Sequence, residues 1–139
     1  MKKICFSIPC YNEIGNIEEL TEELIKIMSS YEYDFSIEYI DNHSTDGTRE
    51  VLYMLCEKYS HNVKAILNAR NFGGVSNYYG MLQTRGDCTI VLPCDFQVPL
   101  SIIDELLKKW ENGAKIVCAV KKVDSASGIL KWFRNIYYN

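Results

Sequence analysis

Five short, mostly apolar runs, Lys3 to Pro9, Phe35 to Ile40, Val63 to Leu67, Cys88 to Leu92 and Lys115 to Val120, are separated by longer stretches with helical spacing. That alternation constrains the fold more than any other feature. A strand covered on both faces reads as a continuous apolar run, and parallel strands need a crossover long enough for a helix. Ile17, Leu20, Leu24, Ile25 and Met28 place one apolar stripe along a helix over Ile14 to Met28. Val51, Leu52, Leu55 and Tyr59 mark a second helix, Val75 to Gln83 a third and Ser101 to Asn112 a fourth. The order βαβαβαβαβ predicts an α/β fold: a doubly wound, Rossmann-like, mostly parallel sheet with helices on both faces.

In such sheets ligands sit outside the carboxyl ends of the strands, so function is sought in Pro9 to Glu13, Asp41 to Asp46, Asn68 to Gly74 and Pro93 to Pro99. After the second strand, Asp41 and Asn42 can hydrogen-bond a ribose or a base edge. Ser44 or Thr45 is expected to cap the next helix, with Asp46 complementing its dipole and His43 an exposed turn residue. In Asn68-Ala69-Arg70-Asn71-Phe72-Gly73-Gly74, a guanidinium beside a diglycine can approach a phosphate. The competing reading is a glycine turn with a surface arginine. After the fourth strand, Asp95 and Gln97 lie two residues apart on an extended segment, where a carboxylate and an amide oxygen suit Mg²⁺ or Mn²⁺. An Asp that caps the coming turn is the alternative.

Several classes fall away. A formal net charge of -3 gives no overall pull toward nucleic acid. No apolar run approaches the roughly 20 residues needed to span a bilayer, and neither GxxxxGK[ST] nor GxGxxG occurs. The six cysteines form no CxxC or CxxH pair and sit mostly in apolar runs, as small buried hydrophobes in a reducing cytoplasm would.

Taken together and in order, Ser7-Ile8-Pro9-Cys10-Tyr11-Asn12-Glu13, Asp41-Asn42-His43-Ser44-Thr45-Asp46-Gly47-Thr48, Arg70-Asn71-Phe72-Gly73 and Asp95-Phe96-Gln97-Val98-Pro99 resemble the family 2 glycosyltransferases, above all the polyisoprenyl-phosphate and dolichyl-phosphate sugar transferases. The likeness runs from Lys3 to about Lys122. It implies a GT-A fold and metal-assisted, inverting transfer of a sugar from a nucleotide-diphosphate sugar to an acceptor, either a polyisoprenyl phosphate or an envelope glycan. By the same resemblance Pro9, Tyr11 and Glu13 border the nucleotide pocket, Asp41 and Asn42 face the base and ribose, Arg70, Asn71, Gly73 and Cys94 line the donor site, and Asp95 with Gln97 holds Mg²⁺ or Mn²⁺. This chain departs from the pattern at Asn42 and Pro93, each in place of an acidic residue, at Val98, a later acidic position, and at Gly74, in place of a lysine. A module that binds a sugar nucleotide or a partner protein without chemistry is the alternative those departures favour.

The resemblance also implies that residues 1–122 are a nucleotide-sugar-binding core and that 123–139 lead toward an acceptor-binding portion not included in these residues, which would hold the catalytic base. Ile129, Leu130, Trp132, Phe133, Ile136 and Tyr137, interleaved with Lys131 and Arg134, give the tail an amphipathic, aromatic face. It suits packing on a further part of the protein or, alternatively, contact with the inner surface of the cell membrane.

Overall fold

The structure is a computed structural model that describes residues 1–120. The expectations for the tail and for a boundary at residue 122 lie outside the described residues. Two compact units are present, Met1–Glu105 and a second that begins at Leu106. In chain order the elements are β1 (Lys3–Cys10), α1 (Ile17–Met28), β2 (Asp34–Asp41), α2 (Thr48–Lys58), β3 (Val63–Leu67), α3 (Val75–Gln83), β4 (Cys88–Val91) and α4 (Ile102–Glu111).

The strands form one parallel sheet in the order β3-β2-β1-β4. Central β1 and β2 supply much of the core, with Ile4, Phe6, Ile8, Ile37, Tyr39 and Ile40 fully buried. Strand alternation separates the two faces. On one face the Tyr39 hydroxyl lies 2.7 Å from Thr21 Oγ1 of α1, and burial raises the Tyr39 pKa. On the other face α3 comes so close that a Cβ at Gly80 would stand 2.6 Å from Ile40 Cδ1, so only glycine fits there. Helix α2 packs beside α1, which places helices on both faces as predicted.

The order of the strands matters for function. From β1 the chain winds outward through β2 to β3, then returns past β1 to β4. The reversal leaves the crevice between the carboxyl ends of β1 and β4 as the topological switch point, where open α/β sheets bind ligands. Pro9 belongs to this arrangement. The β1–β4 ladder ends at Ser7↔Val91, followed by Leu92 N–H donating to the Ser7 carbonyl at 3.2 Å, so the N–H that Pro9 lacks falls beyond the last bond on that side.

Apart from shifts of one residue at other element ends, two features differ from expectation. Helix α1 begins at Ile17 rather than Ile14, because Asn16 and Ile17 N–H both turn back to the Glu13 carbonyl, at 3.0 and 3.2 Å. The fifth predicted strand, Lys115 to Val120, is irregular, with Ile116 and Val120 each 84 % exposed. A strand exists only through its ladder, and no strand pairs with 115–120 among the described residues.

Candidate functional site

The turns after β1 and β2 are built into each other. Asn12 takes a left-handed backbone (φ 56°), which Asn tolerates better than most residues. Its N–H donates to Ser44 Oγ at 2.8 Å, and its Oδ1 accepts from Thr45 N–H at 2.9 Å. Glu13 N–H donates to Thr48 Oγ1 at 2.9 Å, and Ile14 N–H donates to Asp46 Oδ2 at 3.2 Å. Gly47 (φ 101°) makes the turn into α2, and a Cβ there would meet Ile14 Cδ1 at 2.7 Å. Neither Ser44 nor Thr45 caps α2, contrary to expectation: α2 starts after Gly47 with no side-chain cap, and Ser44 serves the first turn instead. Asp46 does support the helix start, accepting from Thr48 N–H at 3.0 Å and from the Thr48 hydroxyl at 2.6 Å. Burial is the largest single influence on its carboxyl and raises it, but the hydrogen bonds from Thr48 and Ile14 together outweigh burial and hold the carboxyl below the usual range.

Asp41 is fully buried and its carboxylate is occupied by the protein itself. It accepts from His43 N–H and Ser44 N–H, and Arg49 Nε donates to Oδ2 at 2.6 Å. The same guanidinium also reaches the Asn68 carbonyl at the start of the next loop. Arg49 therefore ties β2 to that loop, a role the sequence reading missed. The signal was present, because an acid predicted at the tip of a buried strand requires a cation within reach.

Asn42, 8 % exposed, is turned the same way. Its amide bonds to residues 68–73, the segment that carries Arg70. Neither Asp41 nor Asn42 presents an uncommitted polar atom, although the resemblance assigned both to a base and ribose. Arg70 itself is exposed, its guanidinium 4.8 Å from the Phe72 ring centroid. Asn71 Oδ1 accepts from Gly73 N–H at 2.8 Å, and Gly73 has a left-handed φ of 59°.

The β1 and β4 exits are different in character. Tyr11 is 48 % exposed, Glu13 is half-buried and accepts from Asn16 Nδ2 at 2.6 Å, and Asp95 and Gln97 are exposed. Cys10 and Cys94 are buried beneath them. Burial, and then the charges of Glu13 and Asp95, push the Cys94 thiol up to about 12. Burial does the same to Cys10, helped by Cys94, Asp41, Glu13 and Asp46. Glu13 and Asp95 thus act on one thiol, which makes the switch-point crevice acidic, with neutral sulfur at its floor.

Asp95 accepts from the Gln97 side-chain amide at 2.6 Å and from Gln97 N–H at 3.3 Å. The intervening Phe96 is left-handed, φ 55°, so the segment turns here and does not run extended as expected, and the Gln97 N–H bond gives Asp95 the turn-capping role of the alternative reading. Among the described residues no group of three His, Cys, Asp or Glu is placed to hold a metal ion. The donors present, one exposed carboxylate with an amide oxygen available after a half-turn of the Gln97 amide, fit a hard cation whose remaining ligands come from a bound diphosphate and water.

Residues 5–138 match the family model described as glycosyl transferase family 2. The chain belongs to that family. It is 31 % identical over 118 residues to an undecaprenyl-phosphate 4-deoxy-4-formamido-L-arabinose transferase of Photorhabdus laumondii, covering 84 % of this chain and 36 % of that protein. It is 30 % identical over 145 residues to the bactoprenol glucosyl transferase of Shigella phage SfX, covering 97 % of this chain and 46 % of that one. The chain thus spans less than half the length of these curated relatives. The fold is that of GT-A glycosyltransferases. A mannosyltransferase of Pyrobaculum calidifontis, solved with GDP-Man and Mn²⁺, superposes with a TM-score of 0.67 at 19 % identity, over 87 % of this chain and 36 % of that one. S. aureus TarS 1-349 gives 0.64 at 22 % identity, over 91 % and 38 %.

Proposed function

We propose that this chain is the donor-binding part of a glycosyltransferase that moves a sugar, with inversion, from a nucleotide-diphosphate sugar to a polyisoprenyl phosphate. One observation carries the reading: Asp95 stands exposed at the β1/β4 switch point of a family 2 fold, with an acidic neighbour in Glu13 and an exposed guanidinium, Arg70, on the loop after β3. The acceptor class is supported by the bactoprenol and undecaprenyl-phosphate relatives. The donor class is supported by similar folds solved with UDP-GlcNAc and with GDP-Man.

In this reading Tyr11 and Glu13 border the nucleotide, and Cys10 and Cys94 keep the floor of the pocket neutral. Asp95 and Gln97 would hold Mg²⁺ or Mn²⁺ together with the diphosphate. The cation supplies positive charge where the departing diphosphate becomes more negative. The Arg70 guanidinium adds a charge-assisted hydrogen bond to the same phosphates. The protein would work at the inner face of the cell membrane, where a polyisoprenyl phosphate presents its head group.

Titration of the full-length protein with UDP, GDP and CDP, each with and without Mn²⁺, tests the donor site, and transfer from the nucleotide sugar that binds onto polyisoprenyl phosphate tests the activity. Metal-dependent binding of one nucleotide, followed by transfer, is expected. Pro93, in place of a first carboxylate, favours a second reading in which the site binds and does not react. Tight binding without transfer to any polyisoprenyl phosphate would select it.

A further inference from the structure

The resemblance puts Asn42 against the base. Its surroundings put it elsewhere. The amide has two N–H donors and an oxygen that accepts twice, and all four capacities are filled from one loop. Nδ2 donates to Asn71 Oδ1 at 2.7 Å and to the Gly73 carbonyl at 3.4 Å. Oδ1 accepts from Phe72 N–H at 2.9 Å and from Asn68 Nδ2 at 3.3 Å. Two of these partners are backbone groups, so the orientation of the amide is fixed: the Phe72 N–H can meet only oxygen, and the Gly73 carbonyl only N–H. With 8 % of its surface exposed, Asn42 has no polar atom left for a ligand unless a loop bond breaks.

We infer that Asn42 is a positioning residue that clamps residues 68–73 and so fixes where Arg70 is presented, and that it does not read the base. The loop has two anchors. Its start is held by Asn68 N–H donating to the Asp41 carbonyl at 2.9 Å and by Arg49 on the Asn68 carbonyl. Its middle is held by Asn42 alone among the side chains of the β2 turn. Arg70 lies between these anchors, with its guanidinium against Phe72, whose own N–H is one of the clamped groups. An acidic residue at position 42, the usual pattern of the resemblance, could not make this clamp. A carboxylate would keep the Phe72 and Asn68 bonds but set oxygen against the Gly73 carbonyl and Asn71 Oδ1. Asparagine here is a change of job as well as a loss of charge. The part that concerns diphosphate rests on the function proposed above; the clamp does not.

Native-state trypsin cleavage after Arg70, measured in the full-length protein against cleavage after Arg85, tests the clamp without any ligand. Asn42→Asp should speed cleavage at Arg70 about tenfold by losing two hydrogen bonds, and Asn42→Ala should speed it more, with Arg85 unchanged. Asn71→Ala, which leaves β2 untouched, should also raise the Arg70 rate. Unchanged cleavage at Arg70, or an equal rise at Arg85, would overturn the clamp. In binding, the Asn42 variants should lose much of the advantage of UDP over uridine and of GDP over guanosine, while keeping the wild-type ranking of bases. A reversed base ranking with that advantage intact would return Asn42 to base reading. If the wild type binds no nucleotide, the proposed function fails while the Arg70 rates still decide the clamp.

Discussion

The turn after β2 and the turn after β4 both follow buried strands and both carry an aspartate at the sheet's carboxyl edge, yet the two aspartates live in opposite conditions. Asp41 has no exposed surface and accepts from two backbone N–H groups and a guanidinium. Asp95 is exposed, and among the described residues its carboxylate accepts only from Gln97, two residues on. A buried carboxylate is tolerable only when the protein satisfies it, so Asp41 is architecture. An exposed carboxylate beside the switch point has water for its remaining lone pairs, and a ligand can replace water. Position at a strand end is therefore a weak guide to function unless it is joined to what the side chain's lone pairs are already doing.

The sharpest way to break this contrast is to remove each partner in turn. Asp95→Ala should lower metal-dependent transfer by about a hundredfold or more, since it deletes the only carboxylate of the Asp95–Gln97 pair. Thermal unfolding should hardly move. A variant that keeps its Mn²⁺-dependent rate would remove Asp95 from the site. Arg49→Met should do the reverse. It leaves the buried Asp41 carboxylate without its cation, at a cost of about 3 to 5 kcal/mol in denaturant unfolding. An unchanged midpoint would show that the two backbone donors suffice for Asp41.

Arg70→Ala sits between the two regions and sharpens the line between them. The guanidinium lies outside the hydrogen-bonded frame of its own loop, so its loss should spare stability. It should weaken nucleotide diphosphate binding by about 1.5 to 3 kcal/mol, the worth of a charge-assisted hydrogen bond. Equal affinities of the variant and the wild type for diphosphate would place Arg70 on the surface, as the plain glycine-turn reading had it.

Much of this was legible before any coordinates. The continuous apolar runs of β1 and β2 and the stripe Ile17, Leu20, Leu24, Ile25, Met28 follow directly from burial on both faces and on one face; Ile4 to Ile8, Ser36 to Ile40 and four of the five stripe residues are buried, with Ile25, Lys3, Pro9 and Phe35 only half-buried. Lys115 to Val120 has the same composition but no ladder among the described residues, because composition does not specify a neighbour. At the strand ends, sequence marked which turns matter but not how they are wired. Ser44 is a good capping residue by type, yet its hydroxyl serves Asn12, 32 residues away in sequence. Arg49 escaped notice because its partners, Asp41 and the Asn68 carbonyl, are brought together only by the parallel pairing of β2 with β3.

Cys94 offers the subtlest test, because it lies within the exposed β4 turn and is itself buried. Its thiol is pushed up to about 12 from an ordinary 9.0, first by burial and then by Glu13 and Asp95. The folded state therefore holds the thiol proton more tightly than the unfolded state does. Stability from this group is fully present below pH 9 and declines as pH rises toward 12. Between pH 8.5 and 10 the decline should be about 1 kcal/mol from Cys94, in addition to the same-signed effect of Cys10. Cys94→Ala should flatten the slope of unfolding free energy against pH in that window, and the native thiol should resist iodoacetamide at pH 8.5. Rapid native-state alkylation would mean that the floor of the crevice is open to water. The contrast between a wet turn after β4 and a dry one after β2 would then extend one layer deeper, to the thiol beneath Glu13 and Asp95.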